Sequence, residues 1–269
     1  MGRLAVEGNR EVHYEHYESG GGGVPLVLTH GWGMNARVWS YVTPHVLAAG
    51  HDVIAVDHRA CGRSDHDFSD VSIGAIAGDL VSVLDEIGIQ RTVVNGWSLG
   101  GAVATEAANR LGERCAGLVL TAGATPRFTS TDDWPHGIPA EGFGDWITAL
   151  DDDRVSFLAG MAAGQTYVDV GQPVIDWMWW VFNEGGSGAH RTLAELGTID
   201  QREIGSKLTC PSLSLHGRQD PTVPFAIGEY QAANFPNGRL VPLESGHAPF
   251  IEDRAAYRAA LLEFLSEVG

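Results

Sequence analysis

Short, continuous apolar runs alternate with amphipathic helical stretches along most of this 269-residue chain, and that alternation limits its fold more than any other feature. Pro25–Thr29, Asp52–Val56 and Thr92–Val94 are apolar or β-branched runs of the kind that form strands buried on both faces, as in a parallel sheet. Between them the spacing predicts helices at about Val38–Ala48 and Ile73–Ile87. In the second, Ile73, Ile76, Ala77, Leu80, Val83, Leu84 and Ile87 fall on one stripe. The rhythm resumes with a helix at Leu99–Leu111, a strand at Ala116–Thr121, a strand at Ser212–Leu215, a helix at Pro224–Asn234, a strand at Arg239–Leu243 and a closing helix at Arg254–Val268. Arg3–Val6 and Val12–Tyr17 read as an opening hairpin. Eight strands alternating with helices imply right-handed crossovers and an α/β fold: a mostly parallel sheet flanked by helices.

One stretch breaks the rhythm. Residues 125–206 show no strand–helix alternation, and a structureless loop of that length is improbable inside a compact domain. They are expected to form a helical cap inserted after the sixth strand, with residues 1–124 and 207–269 making the core domain. The insertion carries five of the eight tryptophans, and four Arg against thirteen Asp and Glu. Trp134, Trp146, Trp177 and Trp180 are its candidate substrate-pocket residues; packing of the insertion on itself is the competing reading of the same rings.

Composition narrows the functional classes. A net charge of −17 and a pI near 4.9 disfavour binding to nucleic acid or to an anionic membrane surface. No apolar stretch reaches the length of a membrane span, and the first residues show no signal-peptide core, so a cytoplasmic setting is expected. Three cysteines (Cys61, Cys115, Cys210) without metal spacing suggest neither a disulfide framework nor a zinc site.

The sharpest local signal is Gly96-Trp97-Ser98-Leu99-Gly100-Gly101, lying between a predicted strand and a predicted helix. G-x-S-x-G in that context is the nucleophile elbow: a strained turn presents Ser98, and glycines two residues either side avoid collision with neighbouring backbone. A serine hydroxyl needs a base. Of eleven histidines, His247 alone lies on the loop between the last strand and the last helix, at the sheet edge the elbow also occupies. His30 and His216, each at a strand end beside glycine, read as structural. The base in turn needs a carboxylate, and Asp220 follows the seventh strand, completing the chain order Ser98, Asp220, His247. The backbone N–H groups of Leu99 and of Trp32, in His30-Gly31-Trp32-Gly33, are the candidate oxyanion donors. Asp57 and Arg59 read as loop-bracing charges, and Cys61 as a small loop residue.

Taken together, these residues resemble the α/β-hydrolase superfamily over nearly the whole chain. Within it, His30-Gly31-Trp32, Gly62-Arg63-Ser64-Asp65, Ala116–Leu120, Thr125-Pro126-Arg127-Phe128 and Asp220–Phe225 are similar to the cofactor-free haloperoxidase/arylesterase group. That resemblance implies hydrolysis of small or aromatic esters, sometimes lactones, with no cofactor and no metal. Members favouring perhydrolysis carry Pro where this chain has Gly33, which leaves perhydrolysis as a side activity. His30–Trp39 and Gly96–Gly101 also resemble the methyl esterase that cleaves pimeloyl–carrier-protein ester; an acidic insertion would repel an acidic carrier.

The expected function is therefore that of a serine hydrolase cleaving carboxylic esters of small apolar or aromatic substrates through an acyl-enzyme. A lactonase or C–C bond hydrolase would use the same three residues and stays open as an alternative. A dehalogenase or epoxide hydrolase would place a carboxylate where Ser98 stands. A non-enzymatic binding protein on the same fold is the alternative from a different class. The expected partner is a small-molecule ester or lactone, and the oligomeric state is not legible.

Overall fold

A computed structural model describes residues 1–269. Eight strands, β1 (Gly2–Glu7), β2 (Arg10–Tyr17), β3 (Gly23–Thr29), β4 (His51–Val56), β5 (Thr92–Trp97), β6 (Cys115–Thr121), β7 (Ser212–Gly217) and β8 (Arg239–Leu243), form one sheet in the order β1-β2-β4-β3-β5-β6-β7-β8. β1 and β2 pair antiparallel, β2 lies antiparallel to β4, and every later pairing is parallel. The chain is a single α/β structure with the mostly parallel eight-stranded sheet that the alternation predicts. Every residue of β5, β6 and β7 is buried, whereas the edge strand β1 alternates between half-buried and exposed. Central strands covered by helices on both faces need apolar residues throughout; an edge strand does not.

The helices are α1 (Thr43–Ala48), α2 (Ile73–Glu86), α3 (Leu99–Leu111), α4 (Ala140–Asp152), α5 (Arg154–Gly164), α6 (Gln172–Asn183), α7 (Ala189–Leu196), α8 (Arg202–Lys207), α9 (Phe225–Asn234), α10 (Pro249–Glu252) and α11 (Arg254–Val268). No helix is long and apolar enough to cross a membrane. α2 begins where the Ser72 hydroxyl accepts from the Ala75 N–H, and it buries the stripe from Ile73 to Leu84. The single helix expected at Val38–Ala48 is instead a 3-10 turn over Ala36–Tyr41 followed by α1. Pro44 accounts for the break: it has no N–H to continue an incoming helix, but it fits the first turn of a new one.

The sheet order reverses direction at β3: the next strand in sequence, β4, lies on one side of it and β5 on the other. Such a reversal opens a crevice at the carboxyl ends of the two strands. Between β6 and β7 the chain supplies five helices and no strand of the sheet. α6 packs on the Ala36–Tyr41 turn, α7 packs on α2 and α3, and α4 and α5 pack on these partners, so the group covers the crevice. α8 differs, lying against α3 in the core's own helical layer with Gly205 seated against the Phe235 ring.

Candidate active site

The site is built at the sharp turn between β5 and α3. Ser98 sits at φ 56° and ψ −124°, a conformation that an L-residue holds only when its surroundings enforce it. Here they do: the Ser98 N–H donates to Thr121 O (3.1 Å), and Ser98 O accepts from Gly101 N (2.8 Å) and Ala124 N (2.8 Å). The flanking glycines are steric necessities. A Cβ at Gly96 would lie 2.0 Å from Gly100 O, and one at Gly100 would lie 2.4 Å from Thr29 O. The turn therefore exists only because β5, α3 and the end of β3 approach to backbone contact.

His247 lies on the Glu244–Ala248 loop between β8 and α10, and Asp220 follows β7. His247 Nδ1 and Asp220 Oδ2 are 2.8 Å apart, with both side chains buried. The other Asp220 oxygen accepts the N–H groups of Thr222 (2.8 Å) and Val223 (2.9 Å). Burial opposes charge on this carboxyl, yet the neighbouring His247 and His216 outweigh it and hold Asp220 well below the usual carboxylate range. With an ionised acceptor at Nδ1, a neutral His247 carries its proton there and leaves Nε2 as the free base. That Nε2 is buried and has no hydrogen-bond partner. The elbow and the imidazole loop are also tied directly, because the Trp97 indole N–H donates to His247 O (2.7 Å).

A second set of bonds holds the imidazole loop to the inserted helices. His247 N–H donates to Gln165 O (2.8 Å), just past α5. The Glu252 carboxylate accepts from four backbone N–H groups: Gly246 (2.8 Å) and Ala248 (3.0 Å) on the imidazole loop, and Tyr167 (2.7 Å) and Val168 (3.2 Å) on the inserted segment. Gly246 is pressed so closely on that segment that a Cβ would meet Tyr167 N at 2.7 Å.

Trp32, the loop donor expected beside the elbow, follows β3. His30 anchors this loop: its Nε2 accepts from His58 N–H (2.9 Å), so its Nδ1–H donates to Gly31 O (2.8 Å). Complete burial pushes His30 down to about 4, which keeps the ring neutral in this role. The Trp32 indole N–H reaches across to Ala189 O at the start of α7 (2.7 Å). Leu99 is the first residue of α3, where an N–H has no intrahelical carbonyl to bind. Asp57 and Arg59 brace the neighbouring loop: Asp57 accepts from Ala36 N–H (2.7 Å) and Arg63, and Arg59 forms a two-pronged pair with Asp79 (2.6 and 2.8 Å). Burial raises the Cys61 thiol to about 12, far from the range of a nucleophilic cysteine. No group of three His, Cys, Asp or Glu side chains is arranged to hold a metal ion.

A narrow cavity opens on Ser98, and Gly31, Trp32 and Trp97 form its floor. The inserted helices roof it with apolar side chains, among them Trp146, Phe157, Met161, Phe182, Leu193 and Leu196. Of the four tryptophans expected in the pocket, Trp146 lines it and the other three do not. Trp134 is buried against Tyr230 (ring centroids 4.6 Å), with its indole N–H on Arg127 O. Trp177 packs edge-on against Tyr41, and Trp180 is 44% exposed beneath the Arg37 guanidinium. Trp134 lies before α4 and Trp177 and Trp180 on α6, and these three fasten the insertion to the core or cover its outside.

Comparison with known proteins agrees with this fold. The profile of the alpha/beta hydrolase fold family matches residues 24–254. The chain belongs to the α/β-hydrolase fold family. A pimeloyl-[acyl-carrier protein] methyl ester esterase of Klebsiella pneumoniae is 33% identical over 260 residues, covering 93% of this chain and 96% of that protein. A bifunctional esterase/perhydrolase of Acinetobacter calcoaceticus is 30% identical over 90% of each. Among solved structures, an esterase from Exiguobacterium antarcticum superposes with a TM-score of 0.90 at 27% identity, covering 96% of both chains. With a non-heme chloroperoxidase of Streptomyces lividans also 29% identical over 84% of each chain, this hydrolase-family member has esterase and haloperoxidase relatives, as the sequence resemblance implies. The remaining residues that line the cavity, Phe128, Gln165 and Thr222, are given no site role by the sequence. Phe128 closes the Thr125–Phe128 stretch that carries the resemblance, whereas Gln165 has no signal beyond lying in the insertion. Thr222 sits two residues after Asp220, a position from which it could have been found.

Proposed function

We propose that this protein is a serine hydrolase that cleaves carboxylic esters of small apolar or aromatic substrates through an acyl-enzyme. The observation that carries the reading is the Asp220–His247 pair, with an unpartnered Nε2, on a loop hydrogen-bonded to the residue that precedes a strained Ser98. In this mechanism Ser98 Oγ attacks the carbonyl carbon as His247 Nε2 takes its proton. The Trp32 and Leu99 N–H groups hold the oxyanion. Collapse of the intermediate breaks the bond to the alcohol oxygen, and His247 delivers its proton there. Water then attacks the acyl-enzyme with His247 again as base, and the acid leaves. Asp220 stays ionised throughout and steadies the imidazolium.

The apolar roof favours an apolar or aromatic acyl group. Residues 125–206, apart from α8, act as the cap that supplies this roof. A lactone is a cyclic ester open to the same attack. With a net charge of −17 and an insertion richer in acids than bases, an acidic carrier protein is a poorer fit than a free small ester. The test is a screen of p-nitrophenyl esters, aryl esters and lactones with wild type and Ser98→Ala. Turnover of apolar esters by wild type alone supports the reading. Equal rates for the two proteins refute it.

A further inference from the structure

Among the groups lining the cavity, Gln165 stands out. It is 4% exposed, it lies between apolar neighbours on α5 and the imidazole loop, and its Oε1 is buried with no hydrogen-bond partner. Only its backbone is engaged, through the bond from His247 N–H to Gln165 O. A primary amide is costly to bury unless something binds it, and an amide oxygen can bind only a donor. An apolar residue would fill this place without that cost. What sets this acceptor apart from other unpartnered atoms is its residue's place in the lining of the cavity beside His247, where a donor arriving with the substrate could satisfy it.

Its place in the cavity says which part of the substrate carries that donor. His247 hands its proton to the leaving oxygen, so groups packed around residue 247 surround the alcohol portion. Gln165 is held there by its carbonyl. Thr222, another polar residue of the lining, is held on the Asp220 side by its N–H on Asp220 Oδ1. The remainder of the roof, from α4 to α7, is apolar and left for the acyl group. We infer that Gln165 is a specificity-determining residue that selects esters whose alcohol portion bears a hydroxyl close to the ester oxygen, as in a glycol monoester. The inference rests on the esterase reading above and narrows its substrate class.

The experiment compares the 2-hydroxyethyl, 2-methoxyethyl and propyl esters of phenylacetic acid, with kcat/KM of each divided by its alkaline hydrolysis rate to remove differences in leaving-group chemistry. The methoxyethyl ester keeps the oxygen but donates nothing. Wild type is expected to favour the hydroxyethyl ester about tenfold or more over both others, because a site with an unmet polar group discriminates against analogues that cannot satisfy it. In Gln165→Leu, which keeps the backbone bond to His247, the three normalised values should fall within about twofold of one another. A wild-type ratio near one, an equal gain with the methoxyethyl ester, or a preference that survives in the leucine variant would overturn the inference. The wild-type series decides the matter even if the variant does not fold. Absence of turnover for all three esters and for p-nitrophenyl acetate would instead overturn the esterase reading, and this inference with it.

Discussion

The floor and the roof of the cavity are built by different means. The floor is backbone pressed against backbone: Gly96 on Gly100, Gly100 on Thr29, Gly217 on Gly246. Asp220 and His247 are fixed to one another by a short bond, and His247 Nε2 is left without a partner. The roof is a set of apolar side chains on helices that touch the core through α6 and α7 and through the loop around Gln165. Backbone contact fixes positions to a few tenths of an ångström, while side chains on a helix can be exchanged without moving the helix. On the proposed function, reaction chemistry belongs to the floor and choice of substrate to the roof.

The strongest challenge to that division is at Ser98. Ser98→Ala should lower kcat by roughly 10⁵-fold or more while leaving the melting temperature unchanged, since alanine fits the same space. A melting temperature that falls together with activity would mean the loss came from structure. Asp220→Asn comes next. With the acceptor for Nδ1–H gone, kcat should fall about 10⁴-fold at neutral pH, measured with an activated ester under saturating conditions.

The seam between floor and roof is the next place to press. Glu252 receives four N–H groups, two from each side, and an amide in its place would set an NH₂ against some of them. Glu252→Gln is expected to lower kcat by about 10- to 100-fold as the imidazole loop shifts. A change confined to KM would show that the clamp serves only the roof.

Acid should weaken the floor through its buried histidines. His30 and His58 are held neutral by burial, His30 down to about 4 and His58 well below its ordinary value. Between an unfolded value near 6.5 and those lowered folded values, the unfolded chain binds more protons, so stability is full above about pH 6.5 and declines as pH falls. His30 alone should contribute a loss of roughly 2 kcal/mol between pH 7 and pH 5, read from urea midpoints. Flat midpoints over that range would contradict neutral burial. The smallest effects belong to the roof. Trp146→Ala should raise KM for aryl esters about tenfold with little change in kcat, whereas Trp180→Ala, on the outside, should change neither by more than about twofold.

The same contrast decides what can be read from sequence. The elbow is legible because its steric demands fall on residues close together in the chain: two glycines and a serine between a strand and a helix. His247 and Asp220 are legible because each must lie just past a strand end on one edge of the sheet. The core strands show themselves through unbroken apolar runs. The roof does not. In Gln172–Asn183 nearly every position is apolar or aromatic, so periodicity does not say which face looks inward. Trp177 and Trp180 turn elsewhere for that reason. Trp134 is drawn away by Tyr230 on α9, a partner nearly a hundred residues distant. Gln165 faces the cavity because α5 ends there and its carbonyl meets His247, a tertiary contact with no local signature.

The most direct test is a crystal structure of the protein after reaction with an alkyl fluorophosphonate, which mimics the tetrahedral intermediate. The account predicts a phosphorus–oxygen bond to Ser98, a phosphonyl oxygen about 2.7–3.1 Å from the Trp32 and Leu99 nitrogens, and His247 Nε2 within hydrogen-bond reach of an oxygen on phosphorus. An intact protein with Ser98 unmodified, or an adduct whose phosphonyl oxygen points away from both nitrogens, would contradict it.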